Sequence, residues 1–279
     1  MEPIWQLGPA GNLRPLICPE RDVDVTSVRH GGIHENLSGA RVMDVTGHRQ
    51  NITMSFSYLT PAEARWLRAL HFRQLPGPYR LLSPLHKNRL SPEGSMCKAG
   101  TGTRRGIIPE KGVLTRDFDV PSAFVGDYLG MSSKWTNRLA NWPVRWDSPN
   151  RTTVIAGEQL TFSVYQKAAA VFNVTYGIDW WDRAGAIVTA SSSIKATTTA
   201  WSRWSSTITV PAGAVIGRMF AFTANATDAL YFAGAQIESG PTATQWEIGG
   251  GAPVVVLDQM TEVSPHFGHT THEITLLEV

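Results

Sequence analysis

Along residues 51–58, Asn-Ile-Thr-Met-Ser-Phe-Ser-Tyr, every second side chain is apolar. This alternation predicts a strand with Ile52, Met54, Phe56 and Tyr58 on one face. Residues 41–46 predict a shorter strand before it, ending at Gly47. The period then changes. Thr60-Pro-Ala-Glu63 offers an N-cap hydroxyl, a proline for the first helical position and a glutamate placed to close a capping box. Leu67, Leu70 and His71 or Gln74 follow at helical spacing beside Trp66, and Pro76-Gly-Pro78 ends the helix. Residues 79–82 read as a short strand, and residues 84–112 as a Pro/Gly/basic loop region.

From about residue 115 the composition shifts towards Thr, Ser, Ala and Trp. Residues 157–167 alternate as a half-buried strand, and further strands are predicted at 171–181, 204–210, 218–223 and 229–233. One more begins at Ile187, after the turn Asp182-Arg-Ala-Gly185, and Pro211-Ala-Gly213 ends another. Residues 235–246 form a strand that ends in a Gly-Pro turn and closes on Trp246. Short strands at roughly 8–12-residue spacing, with Gly, Pro and Asp turns, are the pattern of a sandwich or jelly roll. Gly249-Gly-Gly251 reads as a hinge, followed by strands at 253–257 and 272–279 around a loop that starts at Ser264. A chain that ends inside an alternating strand predicts that this strand is paired in a sheet. The expectation is an all-β protein with one short helix, divided into residues 1–114, 115–249 and 250–279.

Length and charge narrow the function classes. The 279 residues suffice for two cores, and 42% hydrophobic with 17% charged residues describes a globular chain. A net charge of +2 disfavours nucleic acid or an anionic membrane as main partner. No segment approaches the roughly 20 apolar residues of a membrane span. The start, Met-Glu-Pro-Ile-Trp-Gln-Leu, has neither the basic nor the apolar region of a secretory signal. Synthesis in the cytoplasm is expected, with any extracellular surface reached inside a larger assembly or after lysis. Cys18 and Cys97 are too few for a disulfide framework and read as reduced, structural thiols.

Ten tryptophans suggest sugar stacking or a β core. The set in the second half is Trp135, Trp142, Trp146, Tyr165, Tyr176, Trp180, Trp181, Trp201 and Trp204. Trp180 and Trp181 are the first candidates for carbohydrate binding, then Trp142 and Trp146 in a Pro/Asn-containing segment, with Tyr176. Adjacent on a strand, Trp180 and Trp181 point to opposite faces, so at most one serves the core. Other chemistry is thinner. His266, His269 and His272 alternate faces at a spacing of three, which suits a polar loop or subunit contact better than a metal site. Glu158, Asp182, Asp228 and Glu238 are candidate ligands for a structural calcium ion. The carboxylate pairs Asp117/Asp119 and Asp179/Asp182 lack the fixed spatial separation that glycoside hydrolysis needs. No nucleophile elbow, zinc-protease helix or phosphate loop occurs. The Gly- and Arg-containing stretch 100–106 lacks a strand-to-helix context and reads as a mobile loop. Arg14, Arg21, Arg29, Arg41 and Arg49 read as plainly solvated, with salt-linked contacts between neighbouring copies or a charged lumen as the functional alternative.

Two family resemblances sit on these residues. Residues 157–167 and 235–246 resemble the opening and closing strands of carbohydrate-binding-module-like jelly rolls, found on viral tail proteins and secreted polysaccharide enzymes. In such modules the position matched by Trp201 often packs structurally at a strand start. The helix–PGP–strand unit and the segment 83–95 resemble minor tail proteins of long-tailed bacteriophages. Leu67, Leu70, His71, Pro76, Gly77, Pro78, Pro84, Leu85, Asn88, Leu90, Pro92 and Ser95 match, while Ser83 stands where an acidic residue is usual. The resemblance implies a distal-tail-like virion protein whose last strands complete its first domain. It further implies a homo-oligomeric ring, hexameric by preference, stacked on tail tube and hub proteins, with the inserted jelly roll projecting outward to touch cell-envelope glycans. It implies no catalysis, no cofactor, no nucleic-acid recognition and no membrane insertion. A free-standing carbohydrate-binding protein is the alternative.

Overall fold

The structure is a computed structural model describing residues 4–279, except 18, 20–22, 37, 44–46, 101–105, 125–131, 148–151 and 267. Cys18, Arg21 and most of the glycine-rich stretch 100–106 therefore lie outside the described residues. The chain divides into two compact units: Met1–Leu81 with Pro253–Val279, and Leu82–Ala252.

The first unit is a seven-stranded sheet with one helix. Its strands run, edge to edge, Arg14–Pro15, Gln6–Gly8, Tyr79–Leu82, Val254–His266, His269–Glu278, Gly47–Leu59 and Asp24–His30. The C-terminal hairpin thus fills the middle of the sheet, with Ile274 opposite both Met54 and Met260. Ile52, Met54 and Phe56 point into the core as alternation requires. Tyr58 does not. The register shifts between Thr270 and His272, Tyr58 takes a φ of 54°, and Leu59 is buried in its place while Tyr58 is 56% exposed. A bulge of this kind re-aims every later side chain. Helix Pro61–His71 carries the complete capping box, with Thr60 and Glu63 bonded reciprocally. Its Ala64, Trp66, Leu67 and Leu70 are buried.

The second unit is a β-sandwich of the jelly-roll kind. One sheet orders Ser202–Thr209, Gln159–Ala168, Leu230–Ser239, Ser132–Thr136 and Val113–Asp117. The other orders Ile187–Ala196, Asn173–Trp181, Ile216–Phe222, Val144–Trp146 and Ile107–Pro109, with Thr152–Thr153 paired to Ile216–Phe222. Between them lie Trp135, Trp146, Phe162, Tyr176, Trp180, Trp204 and Phe232. Each large side chain removed from water there contributes about 1.5–3 kcal/mol before entropy is counted. Cys97 joins this core as a free thiol, and burial pushes its pKa up to about 12.

The boundary expected at residue 114 lies instead at 81/82, because the segment read as loop is built into the sandwich. Leu90 and Ile107 are core residues, and Ser91 caps a one-turn helix, Pro92–Ser95. Fully buried Asn88 donates to the carbonyls of Ala235 (3.0 Å) and Glu247 (2.9 Å), and its Oδ1 accepts from the N–H of Ile237 (3.2 Å). The predicted hinge glycines pack on the same segment: Gly249 N–H donates to Ser95 Oγ at 2.8 Å. A Cβ on Gly249 would lie 2.2 Å from the Leu90 carbonyl oxygen, so only glycine fits.

Candidate functional site

Three of the five sequence candidates are core residues. Trp146, Tyr176 and Trp180 have no exposed surface, and their rings pack against the sandwich interior rather than offering a face to a ligand. Tyr176 stacks on Trp204 at 4.5 Å and donates its hydroxyl hydrogen to Gln166. The Trp180 indole N–H donates to Ser191 Oγ at 2.9 Å. Trp181, one residue on, faces outward from the other sheet face, with the Arg218 guanidinium 5.2 Å from its ring. Asp179 accepts beside it from Arg145 (3.1 Å) and Arg218 (3.2 Å). Trp142 is 43% exposed and carries the Lys111 ammonium 5.3 Å from its ring. Trp181 and Trp142 form no common site. Trp181 pairs with Ile216 at one end of strand Ile216–Phe222, whereas Asn141 bonds Thr223 beyond the other end, roughly 20 Å away at strand rise.

The outer face of the five-stranded sheet carries a more coherent constellation. Strand register sets Lys134 opposite Tyr231, and Tyr231 opposite Lys167. Trp201 stands just before Ser202, which pairs with Gln166, and so extends the row past Lys167. The row spans three strand spacings, about 15 Å. Trp201 meets Tyr231 edge to face, with centroids 6.4 Å apart. The Lys167 ammonium lies 5.1 Å from the Tyr231 ring and 6.0 Å from Trp201, and Lys134 lies 5.6 Å from Tyr231. Asp119 ties the group together, bridging to Lys167 and accepting the Trp201 indole N–H at 3.2 Å. Lys167 first, and then the indole N–H, hold the Asp119 carboxyl below its ordinary pKa. The next rung is closed by aromatics: Phe124 packs on Tyr165 (4.8 Å) and Trp246 (5.0 Å). Phe124 also covers Gly234, whose φ is 53° and where a Cβ would meet the ring at 2.6 Å. The open row thus joins two partly exposed aromatic rings to ammonium donors and a carboxylate acceptor, the groups that pair with sugar C–H faces and hydroxyls.

The other candidates are structurally engaged. Glu158 forms a two-point ion pair with Arg89 (2.7 and 2.8 Å), and buried Glu238 accepts from Gln236 and Thr244. Asp182 accepts the Ala186 N–H of its own turn, and Asp228 accepts from Asn225. Among the described residues, no group of three or more His, Cys, Asp or Glu is placed to hold a metal. Asp117 accepts the backbone N–H of Asp119 at 2.9 Å, and Asp179 sits between its two arginines, so each lies in a local structural bond. His272 is buried in the first unit, with Thr270 Oγ1 2.9 Å from its Nε2.

No protein-family model matches this chain, and no curated protein matches it. Solved structures are similar to it at low identity. The enzymatically active domain of tailspike protein 4 of bacteriophage CBA120 is 12% identical over 55% of this chain and 21% of that chain, with a TM-score of 0.41. The xylan-binding domain from CBM 22 is 17% identical over 57% of this chain and 96% of that one, also at 0.41. TmCBM61 in complex with β-1,4-galactotriose is 10% identical over 56% and 100%, at 0.38. This chain therefore spans about a fifth of the tailspike domain, and likeness at these scores carries no functional argument.

Proposed function

We propose that this chain is a structural protein of a phage tail tip, in which the two-piece first unit assembles into a ring and the second unit binds cell-envelope glycans. The glycan reading rests on the row Lys134–Tyr231–Lys167–Trp201 with Asp119, which presents rings, donors and an acceptor together on one sheet face. The row's length suits several consecutive sugars rather than one. The assembly reading rests on the tail-protein resemblance of residues 60–95 and on an exposed ribbon in the first unit. In that ribbon, Ile33–Glu35 pairs with Arg41–Met43, and all six residues are exposed. Two strands without a core are marginal alone. Several weak sites on one ring then multiply by avidity. No step breaks a bond.

A glycan array probed with the intact chain tests the binding half. Binding to a defined set of envelope oligosaccharides is expected, weakened about tenfold by Trp201→Ala or Tyr231→Ala and unchanged by Trp142→Ala. Equal binding by all four proteins would overturn the assignment of this face.

A further inference from the structure

Resting on the glycan reading, we infer that the row on the five-stranded sheet selects glycans bearing acid groups, its ammoniums holding a sugar carboxylate or phosphate while Tyr231 and Trp201 take the rings. Lys134 and Lys167 stand on either side of Tyr231, on the two strands that flank it, roughly 10 Å apart at strand spacing. Their ammoniums lie 5.6 and 5.1 Å from the Tyr231 ring. A sugar packed against Tyr231 therefore meets an ammonium on each side. An acid group at the rim of that sugar reaches one of them without leaving the aromatic contact.

Donors outnumber acceptors along this row. An ammonium only donates and a carboxylate only accepts. Asp119 is the row's carboxylate, and both its oxygens are engaged, Oδ2 by the Lys167 ammonium and Oδ1 by the Trp201 indole N–H. Among the described residues, no carboxylate pairs with Lys134. The next carboxylate, Asp117, stands opposite Ser132, about 7 Å along the strand from the Lys134 rung, and accepts the Asp119 N–H. The row thus presents all the N–H donors of Lys134, and those of Lys167 that Asp119 leaves, beside an acceptor already in use. Hydroxyls of a neutral sugar donate as well as accept, and their hydrogens find few partners here. Carboxylate and phosphodiester oxygens only accept, so they match what the row offers. Charge points the same way, because two ammoniums against one carboxylate leave the row net positive.

Titration of the intact chain with an oligogalacturonate, a poly(glycerol phosphate), a neutral galactose oligomer and an oligothymidylate, at low and at high sodium chloride, tests the inference. One of the two acidic glycan probes should bind about tenfold more tightly than the neutral one, and salt should erase the difference. Which of the two binds tells a sugar carboxylate from a phosphate. Lys134→Gln should weaken the acidic probe about fivefold and leave the neutral one unchanged. Lys195→Gln removes the same charge from an edge strand of the other sheet and should change neither. Equal affinity for acidic and neutral probes, weakened for both by Tyr231→Ala, would overturn the inference and spare the glycan reading. Acidic binding that Tyr231→Ala and Trp201→Ala leave intact would overturn both, since the ligand then sits elsewhere. Tightest binding of the oligothymidylate, or no binding of any probe, would also overturn both.

Discussion

Trp180→Ala and Trp181→Ala are expected to differ sharply in cost, although the two residues are neighbours. Trp180 is fully buried, so its truncation should destabilise the sandwich by about 3–5 kcal/mol, while Trp181→Ala should cost far less in the same denaturant titration. Alternation places the pair on opposite faces; only the strand's neighbours decide which face is the core. Asn88 carries a comparable weight for another reason. Asn88→Ala strips partners from the buried Ala235 carbonyl and Ile237 N–H and should cost about 2–4 kcal/mol. A titration group in the first unit adds a pH dependence. Burial lowers the His272 pKa, opposed by Glu262 and reinforced by Arg68. The unfolded chain then binds the proton more readily, so this contribution is present above the unfolded value near 6.5 and is lost as pH falls below it. Melting temperature should drop between pH 7.5 and 5, and His272→Gln should flatten that slope. An unchanged slope would remove His272 from the account.

At the scale of single elements, local signals predicted well where local chemistry decides. The helix 61–71 was legible because Thr60, Pro61 and Glu63 sit within one turn and satisfy its first N–H groups by themselves. Thr60→Ala should therefore cost about 1 kcal/mol in chemical denaturation, and a loss below a few tenths would mean the cap is idle. Within the strand Gly47–Leu59, residues 51–57 were legible, but not its start at Gly47 nor Tyr58, where the bulge depends on a partner more than 200 residues away, at Thr270–His272. The row Lys134–Tyr231–Lys167–Trp201 was not legible for the same reason. Lys134, Lys167, Trp201 and Tyr231 come from four separated stretches, and cross-strand register alone makes them neighbours. Trp201 packs against the Phe124/Ala233 cluster, as the module resemblance implies, and is also partly exposed and donates its indole N–H to Asp119.

For the whole molecule, a two-piece first unit around a sandwich was legible from the change in pattern along the chain, but glycines 249–251 pack inside the sandwich instead of hinging, and the first boundary was not legible. Residues 84–112 look structureless because their partners, Ala235, Ile237 and Glu247, lie near the other end of the insert. A fragment of residues 82–252 should accordingly unfold in one cooperative transition, whereas residues 115–249, lacking Asn88, Leu90 and Ile107, should not fold. Negative-stain electron microscopy of the purified full chain over a range of concentrations tests the account most directly. Closed rings with a central hole are the predicted result. A field of dispersed single chains at every concentration, with a tail-tube partner added, would contradict it.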